Sequence, residues 1–123
     1  IGTWFRERSV GTRIVGVQAE GAPSMALSWR AGRPIETEAA DTYAGGIATR
    51  VPVPEALELM KDVVDDMLLF PDAVLRDAQA ELTDALGITV EGAAAASWAA
   101  ARDAPTGEGA ALVIVTGSNV EPS

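Results

Sequence analysis

Short apolar runs alternate with amphipathic helical segments along the chain, and this alternation restricts the fold more than any other feature of the sequence. Residues 13–17 form a β-branched run between turn residues, which is typical of a strand buried on both faces. Residues 67–70 predict a second strand, and the apolar run 111–115 predicts a third, buried one. The alternation therefore indicates an α/β fold, in which helices flank part of a parallel sheet.

Five helices are predicted around these strands from the spacing of apolar residues and from helix stop signals. They cover residues 1–8, 23–31, 54–64, 71–86 and 92–101. Gly32 and Gly87 follow the second and fourth helices, and glycine readily adopts the left-handed conformation that ends a helix. The fourth helix carries one apolar stripe, formed by Val74, Leu75, Ala78, Leu82, Ala85 and Leu86. Residues 33–53 lack a regular pattern, and Gly45 and Gly46 indicate a glycine-lined turn there.

The sequence contains no His and no Cys, and these absences exclude several classes of chemistry. A chain without them has no Ser-His-Asp or Cys-His nucleophile, no ordinary zinc site and no disulfide framework. Its length of 123 residues suits one domain. Chemistry must then come from carboxylates, hydroxyls, the single Tyr43, the single Lys61, backbone amides or a bound cofactor.

The chain is acidic, with 18 Asp and Glu against 9 Lys and Arg, and the acidic excess is concentrated after residue 50. Such a surface repels phosphate backbones, so we expect no nucleic-acid partner. The longest nearly apolar run, residues 92–101, is half of the roughly 20 residues that a membrane span needs. We therefore expect a soluble, cytoplasmic protein with no membrane partner.

Two positions combine small or polar residues with the expected ends of helices and strands. Residues 116–119 (Thr-Gly-Ser-Asn) follow the third predicted strand, and ligand-binding loops lie at the carboxyl ends of parallel strands. Glu91 precedes the alanine-rich helix, where a carboxylate can stabilise the helix N-terminus or face a cofactor beside the small residues. From spacing alone, an ordinary strand-to-loop turn and a helix cap are the simpler interpretations.

Lys61 is the only side-chain amine and therefore the only candidate in the chain for a Schiff base. On a helix, Glu58 and Asp65 lie three and four residues away from it, and Asp62 adjoins it. Nearby negative charge favours the protonated amine, which is the wrong form for a nucleophile. We predict a solvated surface lysine. The sequence also lacks the dinucleotide-binding, P-loop and hydrolase motifs.

Four segments of the chain resemble, in order, motifs of the threonine and serine dehydratases. Residues 15–25 are similar to the family's Gly-Val-Glu-Pro-Glu-Gly-Ala-Pro segment, and residues 41–48 to its Thr-Ile-Ala-Asp-Gly segment. Residues 90–93 resemble Val-Glu-Pro-Ala, and residues 116–119 resemble Ser-Gly-Gly-Asn. These enzymes are fold-type II pyridoxal-phosphate enzymes related to serine racemase, with the tryptophan synthase beta-like fold. The chain resembles the C-terminal part of their catalytic domain.

The resemblance implies that Thr116, Gly46, Glu91 and Gly117 bind pyridoxal 5'-phosphate. Thr116 stands where the family places a serine hydroxyl opposite the pyridine nitrogen, and Gly46 where a glycine backbone lies beside the ring. Glu91 matches a carboxylate near the same ring, while Gly117 and Asn119 belong to the turn that carries Thr116. A neutral hydroxyl at the ring nitrogen suits β-elimination better than reactions that need a full electron sink.

The chain departs from the family at several positions. Gln18, Ala22 and Ser24 stand where members similar to serine racemase place a metal site. Because Gln18 and Ser24 replace two acids of that site, we expect no metal. Gly45 replaces the family's Asp and Gly92 replaces its Pro, so the local geometry is expected to differ.

Two family elements have no counterpart in the chain: the Ser-x-Lys motif of the Schiff-base lysine, and the glycine-rich phosphate loop expected before Ile1. We therefore expect residues 1–123 to be the trailing part of a longer enzyme, without a catalytic residue and inactive alone. The full enzyme is expected to be a homodimeric ammonia-lyase that converts L-threonine or L-serine to a 2-oxo acid and ammonia. The alternatives are a serine racemase, another β-hydroxy amino acid lyase, or a stand-alone, non-enzymatic α/β ligand-binding domain.

Overall fold

The computed structural model describes residues 1–104, 108–118 and 120. Apart from the third strand, its helices and strands follow one another in the predicted order. They are α1 (Gly2–Glu7), β1 (Val15–Ala19), α2 (Ser24–Ala31), α3 (Pro54–Val63), β2 (Asp66–Phe70), α4 (Asp72–Leu86) and α5 (Gly92–Asp103). A short 3-10 turn, Gly45–Ile47, lies in the irregular segment between α2 and α3.

β1 and β2 pair in parallel, with a register that runs from Val15 opposite Asp66 to Ala19 opposite Phe70. Parallel neighbours need a long crossover connection, which α2 and α3 supply here. Both strands lie within two residues of their predicted positions. The carboxyl ends of the two strands therefore meet at one edge of the sheet.

The hydrophobic core lies where α5 packs against both α4 and the sheet. Ala95 and Ala99 of α5 are fully buried in one cluster with Leu75 and Ala78 of α4. Because alanine side chains are short, α5 can approach its neighbours closely. The predicted stripe of α4 is confirmed at its centre but wrong in its last turn, where Leu86 is 51% exposed and lies outside the cluster.

Left-handed glycines end two helices as predicted. Gly32 follows α2 with φ 70° and Gly87 follows α4 with φ 65°. At each position the glycine amide donates a hydrogen bond to a carbonyl of the helix's last turn, from Gly32 to Trp29 and from Gly87 to Thr83. Each glycine thus provides a hydrogen-bond donor for a carbonyl at the end of its helix. A residue with a β-carbon could do the same only in a sterically unfavourable left-handed conformation.

The prediction of a buried strand at residues 111–115 is wrong for this chain. Within the described ranges, these residues form no strand and no backbone hydrogen bonds with β1 or β2, and Leu112 is 70% exposed. An apolar run becomes a strand only if a neighbouring strand satisfies its amides and carbonyls. The described residues place no such strand beside this run.

Asp65 ties α1 to the sheet. Its carboxylate accepts hydrogen bonds from the Ile14 amide at 2.7 Å and from the Arg6 guanidinium at 2.6 Å. Arg6 also donates to the carbonyl of Val63 at the end of α3. The hydrogen bond from the Ile14 amide, and to a smaller extent the one from Arg6, lower the pKa of Asp65.

Each helix in the described part of the chain is too short or too polar to span a lipid bilayer.

Substitution of Gly87 by alanine tests the helix-end geometry. Gly87→Ala is expected to lower the free energy of unfolding by about 1 to 2 kcal/mol, because a β-carbon is disfavoured at positive φ. Gly11→Ala is the matched control, since Gly11 has no positive φ and open space around its α-carbon. Urea denaturation of the full-length protein measures both, and equal losses for the two variants would contradict this account.

Candidate functional site

A cavity of about 1130 Å³ lies between four parts of the chain that are distant in sequence. Residues 43–46, the first half of α4, the start of α5 and residues 116–118 all contribute to its wall. The four residues proposed from the sequence, Gly46, Glu91, Thr116 and Gly117, all line it. Their binding roles stay predictions, but the fold brings all four to one cavity.

Asp72 positions the loop that carries the glycine pair. As the first residue of α4, it is separated from the carboxyl end of β2 only by Pro71. Its carboxylate accepts hydrogen bonds from the Thr42 hydroxyl at 2.5 Å and the Tyr43 amide at 2.9 Å. Burial pushes the pKa of Asp72 upward, but the hydrogen bonds from Thr42 and Tyr43 outweigh it, so the pKa lies below its usual range. This ionised carboxylate anchors the loop beside the cavity.

Glu91 lies between two of the glycines. Its amide donates to the Gly117 carbonyl at 3.1 Å, and a β-carbon built on Gly117 would overlap the Glu91 carboxylate. A β-carbon on Gly46 would lie 3.5 Å from Glu91 Oε1 and only 2.9 Å from the β-carbon of Ala93. A larger residue at position 46 would thus press on Ala93, and one at position 117 would displace the Glu91 side chain.

The helix-cap interpretation of Glu91 is only half correct. Glu91 does occupy the N-cap position of α5, but its side chain makes no capping hydrogen bond. The carboxylate instead lines the cavity together with Gly46 and Gly117. It is therefore available to a ligand.

The turn that begins at Thr116 is held against α5. Ser97 of α5 donates a hydrogen bond of 2.6 Å to the carbonyl of Ile114, two residues before Thr116. Thr116 is exposed at the cavity wall, so its hydroxyl can reach a bound molecule. Asn119, the last residue of the predicted motif, lies outside the described residues.

Tyr43 and Arg76 also line the cavity, although the sequence analysis did not single them out as ligand residues. The Arg76 guanidinium carbon lies 3.8 Å from the centroid of the Tyr43 ring. A β-carbon on Gly92 would come within 2.5 Å of the ring, so Gly92 makes the space that the ring occupies. A contact between residues so distant in sequence leaves no signal in a single sequence.

The Tyr43 hydroxyl is buried and has no hydrogen-bond partner among the described residues. Burial raises the pKa of Tyr43, because the phenolate is less well solvated, and Arg76 offsets this only in part. The phenol is therefore neutral near pH 7 and can donate a hydrogen bond at the cavity wall.

Lys61 lies outside the cavity, on the exposed face of α3, as predicted. Its Nζ atom forms an ion pair of 2.6 Å with Glu58 Oε1. Asp65, the other expected partner, binds Arg6 instead. The described residues that line the cavity include no lysine.

The residues at the family's metal position are used in hydrogen bonds within the protein. Gln18 is buried, and its Oε1 atom accepts from the Ala26 amide at 2.9 Å. Ser24 donates to the Thr49 carbonyl at 2.5 Å. Gln18 thus fixes the start of α2 to β1, and Ser24 fixes it to the loop that follows α2.

The parallel sheet, its flanking helices and the glycine-lined cavity define an α/β domain. Residues 1–117 match the family described as "Pyridoxal-phosphate dependent enzyme", and the chain belongs to this family.

Curated relatives are similar over nearly the whole chain. The "L-threonine dehydratase biosynthetic IlvA" of Lactococcus lactis is 34% identical over 97% of this chain. The "L-threonine ammonia-lyase" of Thermotoga maritima is 33% identical over 89% of it. The matched regions make up only 29% and 27% of the lengths of these two relatives.

Solved structures give the same fold. A threonine deaminase from T.th. is 27% identical, with a TM-score of 0.88 over 99% of this chain and 45% of its own length. Maize serine racemase is 26% identical, with a TM-score of 0.73 over 80% of this chain and 30% of its own. These matches confirm the predicted resemblance to part of a fold-type II enzyme.

Asp72→Asn tests the anchoring of the glycine loop. The variant is expected to lower the free energy of unfolding at pH 7 by about 1 kcal/mol, because the two donors bind different carboxylate oxygens and asparagine has an NH2 group, which cannot accept, in place of one of them. Asp77→Asn, at an exposed position of the same helix, is the control.

The same variant tests the pH dependence. The folded pKa of Asp72 lies below the unfolded value of about 3.9, so its contribution is complete above that value and is lost as the pH falls through the folded pKa. Denaturation curves for wild type and Asp72→Asn are expected to converge below about pH 4. A difference that persists unchanged in acid would contradict this account.

Proposed function

We propose that the chain forms part of a pyridoxal-phosphate-dependent ammonia-lyase that converts L-threonine or L-serine to a 2-oxo acid and ammonia. The observation that carries the proposal is the meeting of Gly46, Glu91, Thr116 and Gly117 at one cavity. Relatives named threonine dehydratase and ammonia-lyase support it. The activity is proposed for the whole protein, because the chain spans less than a third of the length of these relatives.

We propose that the cavity accepts a flat, substituted aromatic ring. Gly46 and Gly117 line the cavity without a side chain, so a planar group can approach their backbone closely. Pyridoxal phosphate, when bound, draws electrons from the α-carbon of an amino acid and so eases loss of its proton and of a β-hydroxyl group. Gly46 and Gly117 are proposed to hold the ring between the loop of residues 43–46 and the turn that begins at Thr116.

Thr116 and Glu91 set the polarity of the cavity. We assign the Thr116 hydroxyl to the ring nitrogen, where it forms a hydrogen bond without contributing a fixed charge. Elimination needs less electron withdrawal than reactions that require a charged ring nitrogen, so a neutral partner suits a lyase. Glu91 supplies a hydrogen-bond acceptor between Gly46 and Gly117.

The amine that holds the cofactor covalently is proposed to come from outside residues 1–123. Lys61 is turned away from the cavity and is bound to Glu58. The 123 residues alone are therefore expected to be inactive. We further propose that the whole protein acts as a homodimer in the cytoplasm, which its resemblance to the dehydratases supports.

A serine racemase is the second candidate, because maize serine racemase shares this fold over 80% of the chain. The substrate-binding residues outside the 123 residues decide between the two activities. A lyase for another β-hydroxy amino acid fits the same cavity.

An assay of the full-length protein tests the proposed reaction. L-threonine is expected to give 2-oxobutyrate and ammonia, and L-serine to give pyruvate and ammonia. Lys61→Ala is expected to leave the rate unchanged, because this side chain lies outside the cavity. Production of D-serine without any 2-oxo acid would favour the racemase, and no product of either kind would refute the proposal.

Substitution of the cavity glycines tests the ring-binding role. Gly117→Ala forces the Glu91 carboxylate to move and is expected to weaken pyridoxal phosphate binding about tenfold, or about 1.4 kcal/mol. Gly45→Ala is the matched control, because Gly45 lines the same cavity but has open space for a β-carbon. Absorbance titration of the apoprotein with the cofactor measures both, and equal affinities would contradict the proposed packing.

A further inference from the structure

The segment between α4 and α5 ends in a buried residue, although no described strand lies beside it. This residue, Val90, is 1% exposed and belongs to the hydrophobic core together with Leu75 and Ala95. Within the described ranges, its amide and its carbonyl make no hydrogen bond to another backbone group. Buried backbone groups without partners are costly, so side chains have to satisfy them at this position.

Two side chains of α4 supply these partners. Gln79 Nε2 donates to the Val90 carbonyl at 2.7 Å, and the Thr83 hydroxyl accepts from the Val90 amide at 3.4 Å. Residues four apart on a helix lie on the same face, so both side chains reach the segment from one side. The shorter bond, from Gln79, is the stronger of the two. Gln79 also lines the cavity of Gly46 and Glu91.

The bond from Gln79 fixes a peptide group that borders the candidate site. The Val90 carbonyl and the Glu91 amide belong to one planar peptide group. Gln79 binds this group at its oxygen, and the Gly117 carbonyl accepts a hydrogen bond of 3.1 Å from its nitrogen. The group is therefore held at both ends, by α4 on one side and by the turn that begins at Thr116 on the other. A donor at the carbonyl also polarises the amide, so each bond strengthens the other.

We propose that Gln79 is a positioning residue of the candidate site and acts through this peptide group. The orientation of the group constrains the direction in which the Glu91 side chain leaves the backbone, and it sets the distance between Gly117 and α5. Gln79 thus determines where the Glu91 carboxylate and the Thr116 hydroxyl lie relative to a ligand. The effect on pyridoxal phosphate rests on the proposed function, whereas the effect on the peptide group does not.

The position needs both the length and the chemistry of glutamine. Methionine would fill a similar space but leave the Val90 carbonyl without a donor. Glutamate, when ionised, has only acceptor oxygens and would repel that carbonyl. Asparagine carries the same amide on a side chain that is shorter by one methylene, so its amide would not reach the carbonyl at the observed distance.

Hydrogen exchange of the full-length protein without cofactor tests the effect on the peptide group. In Gln79→Met, the Glu91 amide is expected to exchange at least about tenfold faster than in the wild type, because its bond to Gly117 is no longer supported from α4. The Glu20 amide, which donates to Phe70 in the sheet, is expected to keep its rate and is the internal control. An unchanged rate at Glu91, or an equal acceleration at Glu20, would overturn the proposal.

Pyridoxal phosphate binding tests the consequence for the site. In an absorbance titration of the apoprotein, Gln79→Met is expected to weaken binding about tenfold, whereas Asp77→Asn, at an exposed position of α4, leaves it unchanged. In a chain that already carries Glu91→Ala, the loss is expected to shrink to about threefold, because one of the positioned groups is gone. A merely structural role would weaken binding by the same factor in both backgrounds, and that result would refute the assignment.

Gln79→Asn is the second variant, and it decides the question if Gln79→Met is too unstable to purify. It is expected to show the same loss of affinity and the same faster exchange at Glu91, and wild-type values for both would contradict the proposal. A wild-type protein that binds no pyridoxal phosphate refutes the proposed function, while the exchange rates still decide the role of Gln79.

Discussion

The parallel pairing of β1 with β2 is the constraint on which the other features of the structure depend. Because parallel strands end at the same edge, the pairing brings the turn after β1 and the start of α4 together. Asp72 stands at that start and binds the loop that carries Gly46. The paired strands thus position the start of α4, and Asp72 at that start positions the glycine loop. The cavity lies beside this loop.

Small side chains are the second requirement of the site. Alanines let α5 lie close to α4 and the sheet, and this closeness brings Glu91 to Gly117. Gly117 then leaves room for the Glu91 side chain, and Gly46 leaves room for Ala93 at the start of α5. Here the absence of side chains, rather than their chemistry, shapes the surface offered to a ligand.

Local patterns predicted most of the helices and strands, because the start, end and buried face of each element depend mainly on residues close together in the sequence. Periodicity placed β1, β2 and the helices, and Gly32 and Gly87 marked helix ends through their own conformational freedom. The order of the four family-like motifs pointed to Gly46, Glu91, Thr116 and Gly117, which all line the cavity. The distances between these residues could not be deduced from their spacing in the sequence. The strand predicted at residues 111–115 was wrong, because an apolar run forms a strand only beside a hydrogen-bonding neighbour, and no described strand lies next to this run. The contact between Tyr43 and Gly92 was hidden, since it joins positions that share no local pattern.

The Tyr43 ring and Gly92 share one space, so the residues that fit at these two positions depend on each other. A β-carbon at position 92 would lie 2.5 Å from the ring, whereas glycine leaves the ring room. A larger residue at position 92 is therefore accommodated only if the side chain at position 43 moves or becomes smaller. The effects of substitutions at the two positions on the free energy of unfolding are consequently expected to be non-additive.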